Sequence, residues 1–144
     1  MTMISLLLQN SSGVMSVGLA SGEKLLFDSV SDIDLAGSRN VELYVKAALR
    51  NSNKTVSDLD FIFVDIGPGG LGATRTTAAF ANAIGFARKI PVIGINAFEL
   101  IGTTLNTWNE SLWFAYAQRR DRTTTWACTK GKRLQILVLL ILTK

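Results

Sequence analysis

Apolar residues in the first part of the chain occur in short blocks separated by turn-forming residues. Residues 3–9 are mostly apolar, and the cluster Asn-Ser-Ser-Gly at 10–13 separates them from a second apolar block at 14–20. A Ser-Gly turn at 21–22 precedes a third block at 24–31. Blocks of this length, bounded by Gly, Asn and Ser, are typical of strands joined by tight turns. The pattern predicts a meander of three β-strands.

Helical and strand-like segments alternate after the meander. Ser38 is the predicted N-cap of a helix at 39–51, where apolar residues recur at helical spacing and a second apolar face lies beside the first. Residues 61–66 are rich in β-branched and aromatic residues, which predicts a central strand buried on both faces of the sheet. A helix at 73–88 and a strand at 91–95 follow. The two strands are parallel if that helix is a right-handed crossover.

The order of predicted elements, with a third helix at 97–107, is β-β-β-α-β-α-β-α. An antiparallel meander continued by βαβ units is the order of the ribonuclease-H-like, actin-like α/β fold. We therefore expect an actin-like first subdomain at residues 1–109 and an incomplete second subdomain at 110–144. The second subdomain begins with strand-like residues at 111–118 and 123–129.

The final apolar run, at residues 134–142, has three interpretations. It is too short to cross a bilayer, which takes about 20 residues, so a strand is the simplest interpretation. A peripheral membrane contact is the second, because basic residues stand beside the apolar run. The third is a tail left by truncation or a frameshift, in which case the chain is a truncated, non-functional product.

Composition narrows the chemistry of the chain. The 144 residues include no histidine and one cysteine, Cys128. This excludes a histidine-ligated metal, a histidine general base and a disulfide within the chain, and we expect no metal site. We expect no signal peptide, and a lone thiol then indicates a cytoplasmic protein. The net charge of +4 comes from the end of the chain, since residues 119–144 carry seven basic residues and one acidic residue.

A glycine-rich loop follows the predicted central strand. Gly67, Gly69, Gly70 and Gly72 stand before the predicted helix, and Arg75 is placed in its first turn. Glycines between a strand and a helix let the backbone approach an anion, which the helix N-terminus attracts. No lysine follows as in a P-loop, and no acidic residue stands where a dinucleotide-binding fold has one. An anion site and a tight turn both remain open.

The sequence GPGGLGATR at 67–75 resembles the GPGSFTGxR-type loop of TsaB (YeaZ) proteins. Residues 78–101, with IPVIGI followed by FEL, resemble the continuation of that family, and LLLQNSSGVMSVGLASGEKLL resembles its first hairpin. The resemblance covers about residues 3–118. It implies the actin-like fold and a protein that does not itself catalyse. TsaB proteins pair with TsaD, the catalytic subunit that transfers threonylcarbamoyl to tRNA adenosine, and with the small ATPase TsaE.

The resemblance also implies how such a protein works. It would be a non-catalytic partner in the formation of tRNA N6-threonylcarbamoyladenosine (t6A), without a cofactor and without protease activity. It would form a homodimer when alone, remain in the cytoplasm without a membrane contact, and meet tRNA at most indirectly through its complex.

Two departures from the family pattern concern nucleotide chemistry. Gln9, Asn10 and Ser11 replace the family's Asp-Thr-Ser turn, and Gly-Leu-Gly-Ala at 70–73 replaces Ser-Phe-Thr-Gly. The first change removes an acid that nucleotide-hydrolysing members of the fold place near metal and phosphate, and the second removes two hydroxyls. Both favour a partner protein. The alternative is a nucleotide-binding actin-like domain with weak or lost ATPase activity, in which Asp65 is the one acid just before the loop.

A partner surface is predicted on the first two helices, because both are apolar on more than one face. The residues assigned to it are Val41, Tyr44, Val45, Ala48, Thr76, Ala79, Phe80 and Ala83. The alternative is that these faces pack on the chain's own sheet.

The basic residues of two C-terminal turns have two interpretations. The simpler one is that the turns are charged and solvated, and the other is that they contact tRNA directly. Those residues are Arg119, Arg120, Arg122, Lys130, Lys132 and Arg133.

Overall fold

The computed structural model describes residues 2–10, 15–32, 35, 38–97, 112–117 and 124–129. The strands are β1 (Ile4–Gln9), β2 (Ser16–Ser21), β3 (Lys24–Asp28), β4 (Phe61–Asp65), β5 (Val92–Ile95), β6 (Leu112–Ala117) and β7 (Thr124–Thr129). The helices are α1 (Val41–Asn51) and α2 (Leu71–Arg88), and Ser29–Ser31 and Val56–Asp58 form short 3-10 helices. The two basic turns, the apolar run at 134–142 and, apart from Ala97, the third predicted helix lie outside the described residues.

Strand β1 is the centre of a five-stranded sheet with the order β3-β2-β1-β4-β5. It pairs antiparallel with β2, where Leu6 lies opposite Leu19, and parallel with β4, where Leu6 lies beside Ile62. Strand β3 continues the meander, while β4 and β5 are parallel and are connected through α2. Strands β6 and β7 form a separate antiparallel pair. This topology confirms the predicted actin-like α/β fold, whereas the subdomain boundary near residue 110 stays a prediction.

The core lies between the sheet and the two helices, which pack on the same sheet face. Strand side chains alternate between faces, so Leu6 and Leu8 of β1 share a face with Ile62 and Val64 of β4. These four belong to one buried cluster together with Val41, Tyr44, Val45 and Ala48 of α1 and Ala81 of α2. Burial of each large apolar side chain contributes about 1.5–3 kcal/mol, so this face anchors both helices.

The other face of β4 is less covered, which corrects the prediction of a strand buried on both faces. Phe61 and Phe63 are half-buried there, with ring centroids 6.4 Å apart. Ile66 follows the strand instead of belonging to it and is 52% exposed. The cause is the placement of the helices, since α1 and α2 both pack against the face that carries Ile62 and Val64.

Helix α1 begins two residues later than predicted, and its N-cap is Asn40 instead of Ser38. The Asn40 side chain accepts a hydrogen bond from the Glu42 N–H at 3.0 Å. The Ser38 hydroxyl acts one step earlier and accepts from the Asn40 N–H at 3.2 Å. Asn and Ser are comparable N-caps, so the start of the helix depends on which side chain reaches the free N–H groups of the first turn.

Candidate functional site

The loop between β4 and α2 brings the ends of two parallel strands next to a helix N-terminus. Gly67 has a φ of +92°, which residues with a side chain rarely adopt. A Cβ at Gly67 would also lie 3.1 Å from the backbone nitrogen of Gly69. The Gly67 carbonyl accepts a hydrogen bond from the Ala97 N–H at 2.8 Å, just after β5. The conformation of the turn therefore requires glycine at position 67.

Asp65, the last residue of β4, holds this loop from the inside. Its side chain is 2% exposed. Its Oδ1 accepts a hydrogen bond from the Gly67 N–H at 2.8 Å, and its Oδ2 accepts one from the Asn10 N–H at 3.2 Å. Hydrogen bonds to a carboxylate are among the stronger ones in proteins, so Asp65 firmly joins the end of β1 to the loop. The sequence left the direction of this side chain open, and the structure places it inside.

Asn10, which directly follows β1, is the second buried polar side chain at the loop. It is 2% exposed, and its Oδ1 accepts a hydrogen bond from the Thr74 hydroxyl of α2 at 3.2 Å. Within the part of the chain that the structure describes, its Nδ2 has no hydrogen-bond partner. The sequence analysis considered the neighbouring Gln9 as the residue at the end of β1 that bears on nucleotide binding. In the structure, Gln9 Oε1 accepts a hydrogen bond from the Ser16 hydroxyl at 3.3 Å, on the neighbouring strand β2. A polar residue just after a buried strand was the available signal for Asn10.

The helix after the loop begins at Leu71, two residues before the prediction, with Gly70 as its N-cap. Gly72 consequently lies inside the first turn, where an added Cβ would meet no atom within 4 Å. Arg75 lies in the second turn instead of the first, and its side chain is exposed. Of the predicted loop residues, the three glycines before the helix form the turn, while Gly72 and Arg75 belong to the helix.

The electrostatics of the loop act in two directions. The N–H groups in the first turn of the 18-residue helix α2 favour an anion. The carboxylate of Asp65, on the inner side of the loop, opposes one. Among the residues that the structure describes, no three His, Cys, Asp or Glu side chains form a group that could hold a metal ion. In the described ranges, the loop is a braced turn beside the Asn10 side-chain nitrogen, which has no hydrogen-bond partner there.

The predicted partner surface divides into buried and exposed residues. Val41, Tyr44, Val45 and Ala48 of α1 lie in the protein's own core, so they are not part of an exposed surface. Phe80 of α2 is half-buried and packs against the same core. Thr76, Ala79 and Ala83 are exposed. The sequence-based surface did not include Phe86, which is 91% exposed, or Leu43 of α1, which is 50% exposed.

Neither α1 nor α2, the helices in the described part of the chain, is long and apolar enough to cross a membrane.

The family of the chain follows from a sequence comparison. A family model described as TsaD: tRNA N6-adenosine threonylcarbamoyltransferase matches residues 36–112. This range is more than half of the chain and contains α1, β4, the glycine loop, α2 and β5. The chain belongs to the TsaD family. Members of the family therefore share the part of the molecule in which the loop and both helices lie.

Curated relatives match over part of their length. A tRNA N6-adenosine threonylcarbamoyltransferase of Clostridium novyi is 36% identical over 69 residues, which are 46% of this chain and 20% of that protein. An uncharacterized protein of Mycobacterium tuberculosis is 38% identical over 77 residues, which are 54% of this chain and 36% of that protein. The alignments with this TsaD-family chain thus span between a fifth and about a third of these relatives.

Solved structures share the fold of this TsaD-family chain. YeaZ from Pseudomonas aeruginosa matches it with a TM-score of 0.70 and 20% identity, over 94% of this chain and 63% of that chain. A second structure from the same organism, of an uncharacterized protein with similarity to peptidase YEAZ, gives 0.71 and 20%, over 94% and 62%. At 20% identity, this structural similarity shows that the chains share a fold. Together with the family match, it confirms the resemblance to TsaB (YeaZ) proteins.

Proposed function

We propose that this protein acts in the formation of t6A in tRNA as a non-catalytic partner of a TsaD-like catalytic subunit. The TsaD-family match and the YeaZ-like fold support a place in this modification. The observation that carries the partner role is an exposed row of residues on α2, with Phe86 at its end. The complex also contains a TsaE-like ATPase, and the chain alone forms a homodimer in the cytoplasm.

The row consists of Thr76, Ala79, Ala83 and Phe86, and we call it the α2 stripe. Steps of three and four residues place these side chains on one face of the helix. The small side chains let another helix approach closely, and Phe86 supplies an aromatic anchor of the kind that dominates binding energy at interfaces. A 91% exposed phenylalanine contributes little to the stability of its own chain, so its burial by a partner is a net gain of about 2 kcal/mol.

The glycine loop supports a structural role in this proposal. Both carboxylate oxygens of Asp65 accept hydrogen bonds from backbone N–H groups of the chain itself. These bonds hold Gly67 and Asn10, and Asn10 in turn accepts a hydrogen bond from the Thr74 hydroxyl near the start of α2, the helix that carries the α2 stripe. The loop thereby positions the surface that the partner contacts, and catalysis belongs to the TsaD-like subunit.

Substitution of the anchor tests the proposal. Phe86→Asp is expected to weaken binding to the TsaD-like subunit of the same organism by about tenfold or more, because it puts a charge into an apolar contact. Val30→Asp is the matched control, since Val30 is also exposed, at 63%, but follows β3, at the edge of the sheet opposite β5. Binding is measured by titration of the purified proteins, and the thermal midpoints of both variants verify that they fold. Failure of the unmodified chain to bind at tens of micromolar contradicts the proposal.

A second function is favoured by one observation, the unpartnered Nδ2 of Asn10. This donor is buried near the N-terminus of α2, where a phosphate oxygen of a nucleotide would satisfy it. The second candidate is a nucleotide-binding actin-like domain with weak or lost ATPase activity. If it is correct, the chain binds ATP or ADP, and Asn10→Leu abolishes this binding. Calorimetry at millimolar nucleotide decides, because the absence of heat from the unmodified chain removes this candidate.

A further inference from the structure

The outer surface of the two helices is basic. Helices α1 and α2 pack on the same face of the sheet, so their exposed sides together form the outer surface of one layer. Residues 39–51 and 71–87, which we call the helix layer, contain four basic residues and one acidic residue, which gives a net charge of +3. All four basic residues are exposed, and they are Arg39, Lys46, Arg50 and Arg75.

The acidic side chains beside the helix layer leave most of this charge uncompensated. Glu42 pairs with Lys46 on α1, with Oε1 and Nζ 2.6 Å apart, which neutralises one cation. Asp65 lies beneath the start of α2, where it is 2% exposed and both carboxylate oxygens accept hydrogen bonds from backbone N–H groups. At the C-terminal end of α2 two acids stand beside two cations, and these are Asp58 and Asp60 with Arg88 and Lys89.

Three cations of the helix layer therefore have no carboxylate partner among the described residues. They are Arg39, Arg50 and Arg75. An exposed cation with no partner in its own chain keeps its charge available to an approaching surface.

These cations lie next to the exposed apolar side chains of the same helices. Arg75 precedes Ala79 by four residues and Phe86 by eleven, which is about three helical turns, so Arg75 shares the exposed face of the α2 stripe. On α1, Arg50 follows Leu43 by about two turns, and both are exposed on one face. The helix layer thus has apolar side chains at its centre and cations around them.

We infer that the helix layer docks a partner surface with an apolar centre and an acidic rim. The inference rests on the proposed function and specifies the partner, since it places Asp and Glu side chains of the TsaD-like subunit around its contact with the α2 stripe. Opposite charges around an apolar contact steer association and fix the orientation of the partners, whereas like charges oppose it.

A second copy of this chain is the disfavoured occupant. A two-fold dimer through the helix layer brings the same surface of both copies together, so a charge of +3 faces a charge of +3. The homodimer is therefore the weaker of the two assemblies at low salt, and the two assemblies respond to salt in opposite directions.

The experiment measures two affinities of the full chain, for the TsaD-like subunit of the same organism and for a second copy of itself. Raising the salt from about 0.05 M to about 0.5 M screens exposed charges and is expected to weaken the complex with the subunit about tenfold and to strengthen self-association. Titration of the purified proteins measures the first affinity, and sedimentation measures the second.

A charge reversal in the helix layer separates electrostatics from structural damage. At low salt, Arg75→Glu is expected to weaken binding to the subunit about fivefold and to strengthen self-association. A glutamate near the N-terminal end of α2 suits the helix dipole, so the variant retains its fold, which its thermal midpoint verifies. Lys24→Glu is the matched control, because it makes the same change of charge at an exposed residue of β3, outside the helix layer.

Each outcome supports or overturns the inference. Opposite shifts of the two affinities in Arg75→Glu, without such shifts in Lys24→Glu, support it. Weakening of both assemblies shows a damaged surface, unchanged affinities show a contact without charge, and equal effects of the two variants show a general charge effect; each of these overturns it. A complex with the subunit that is insensitive to salt and to Arg75→Glu overturns the acidic rim alone, whereas absence of that complex at both salt concentrations also contradicts the proposed function.

Discussion

Asp65 and Asn10 are buried polar side chains at the C-terminal ends of two neighbouring strands. Asp65 ends β4, Asn10 follows β1, and these strands are parallel neighbours. Asp65 accepts hydrogen bonds from two backbone N–H groups, one of them that of Asn10. Asn10 in turn reaches Thr74 of α2. A chain of hydrogen bonds therefore runs from β4 through β1 to the helix.

Asp65→Asn is expected to destabilise the protein by about 2 kcal/mol. An amide supplies one acceptor oxygen and one donor nitrogen, so the buried N–H of either Gly67 or Asn10 faces a donor and loses its bond. Urea unfolding of both proteins measures the difference. Glu23→Gln, at an exposed position in the turn between β2 and β3, is the control and should change stability by less than about 0.5 kcal/mol. A stability of Asp65→Asn within the same range would contradict the bracing role of Asp65.

The sequence could identify the glycines of the loop but not the polar groups that fix it. Gly67 could be identified because it lies in a short glycine-rich segment between a predicted strand and a predicted helix. The direction of Asp65 depends on which sheet face the helices cover, and no local pattern reports that. The sequence analysis singled out Gln9 because it replaces the aspartate of the family's Asp-Thr-Ser turn. The side chains of adjacent residues near the end of a strand point to opposite faces of the sheet, so Gln9 and Asn10 do not reach the same site. It is Asn10 that meets the loop.

At the scale of elements, α2 shows why a helix can be predicted while its buried face cannot. The residues buried along it are Thr77, Ala81 and Gly85, spaced by four. Alanine and glycine also occur on its exposed faces, so the sequence has no contrast that marks the inner side. Helix α1 has the contrast, with Val41, Val45 and Ala48 inward. Its apolar stripe predicted the helix correctly, but the stripe packs on the sheet and not on a partner.

The close approach of α2 to β5 gives a prediction with opposite signs at two glycines. A Cβ at Gly85 would lie 2.4 Å from Val92 Cγ2 and 2.9 Å from the Ile90 carbonyl oxygen. Gly85→Ala is therefore expected to destabilise the fold by about 1–3 kcal/mol. A Cβ at Gly72 meets nothing within 4 Å, and Gly72→Ala is expected to stabilise the helix by up to about 1 kcal/mol. Thermal unfolding measures both, and changes of the same sign would refute the packing described for Gly85.

At the scale of the whole molecule, the order of elements was sufficient to predict the sheet topology. A meander followed by a βαβ unit leaves few arrangements once the crossover is right-handed. The packing of both helices on one face was not predictable, because β4 carries apolar residues on both of its faces.

The sheet order determines which part of the molecule opens last. Strand β1 is paired on both sides and carries Leu6 and Leu8, which are 0% and 2% exposed, whereas β3 and β5 are edge strands of the five-stranded sheet. Amide exchange from a central strand requires opening of its neighbours, so β1 amides should exchange about tenfold or more slowly than those of β3. Hydrogen exchange followed by mass spectrometry or NMR measures the rates under native conditions. If β3 amides were as slow as those of β1, the central position of β1 would not govern the stability of the sheet.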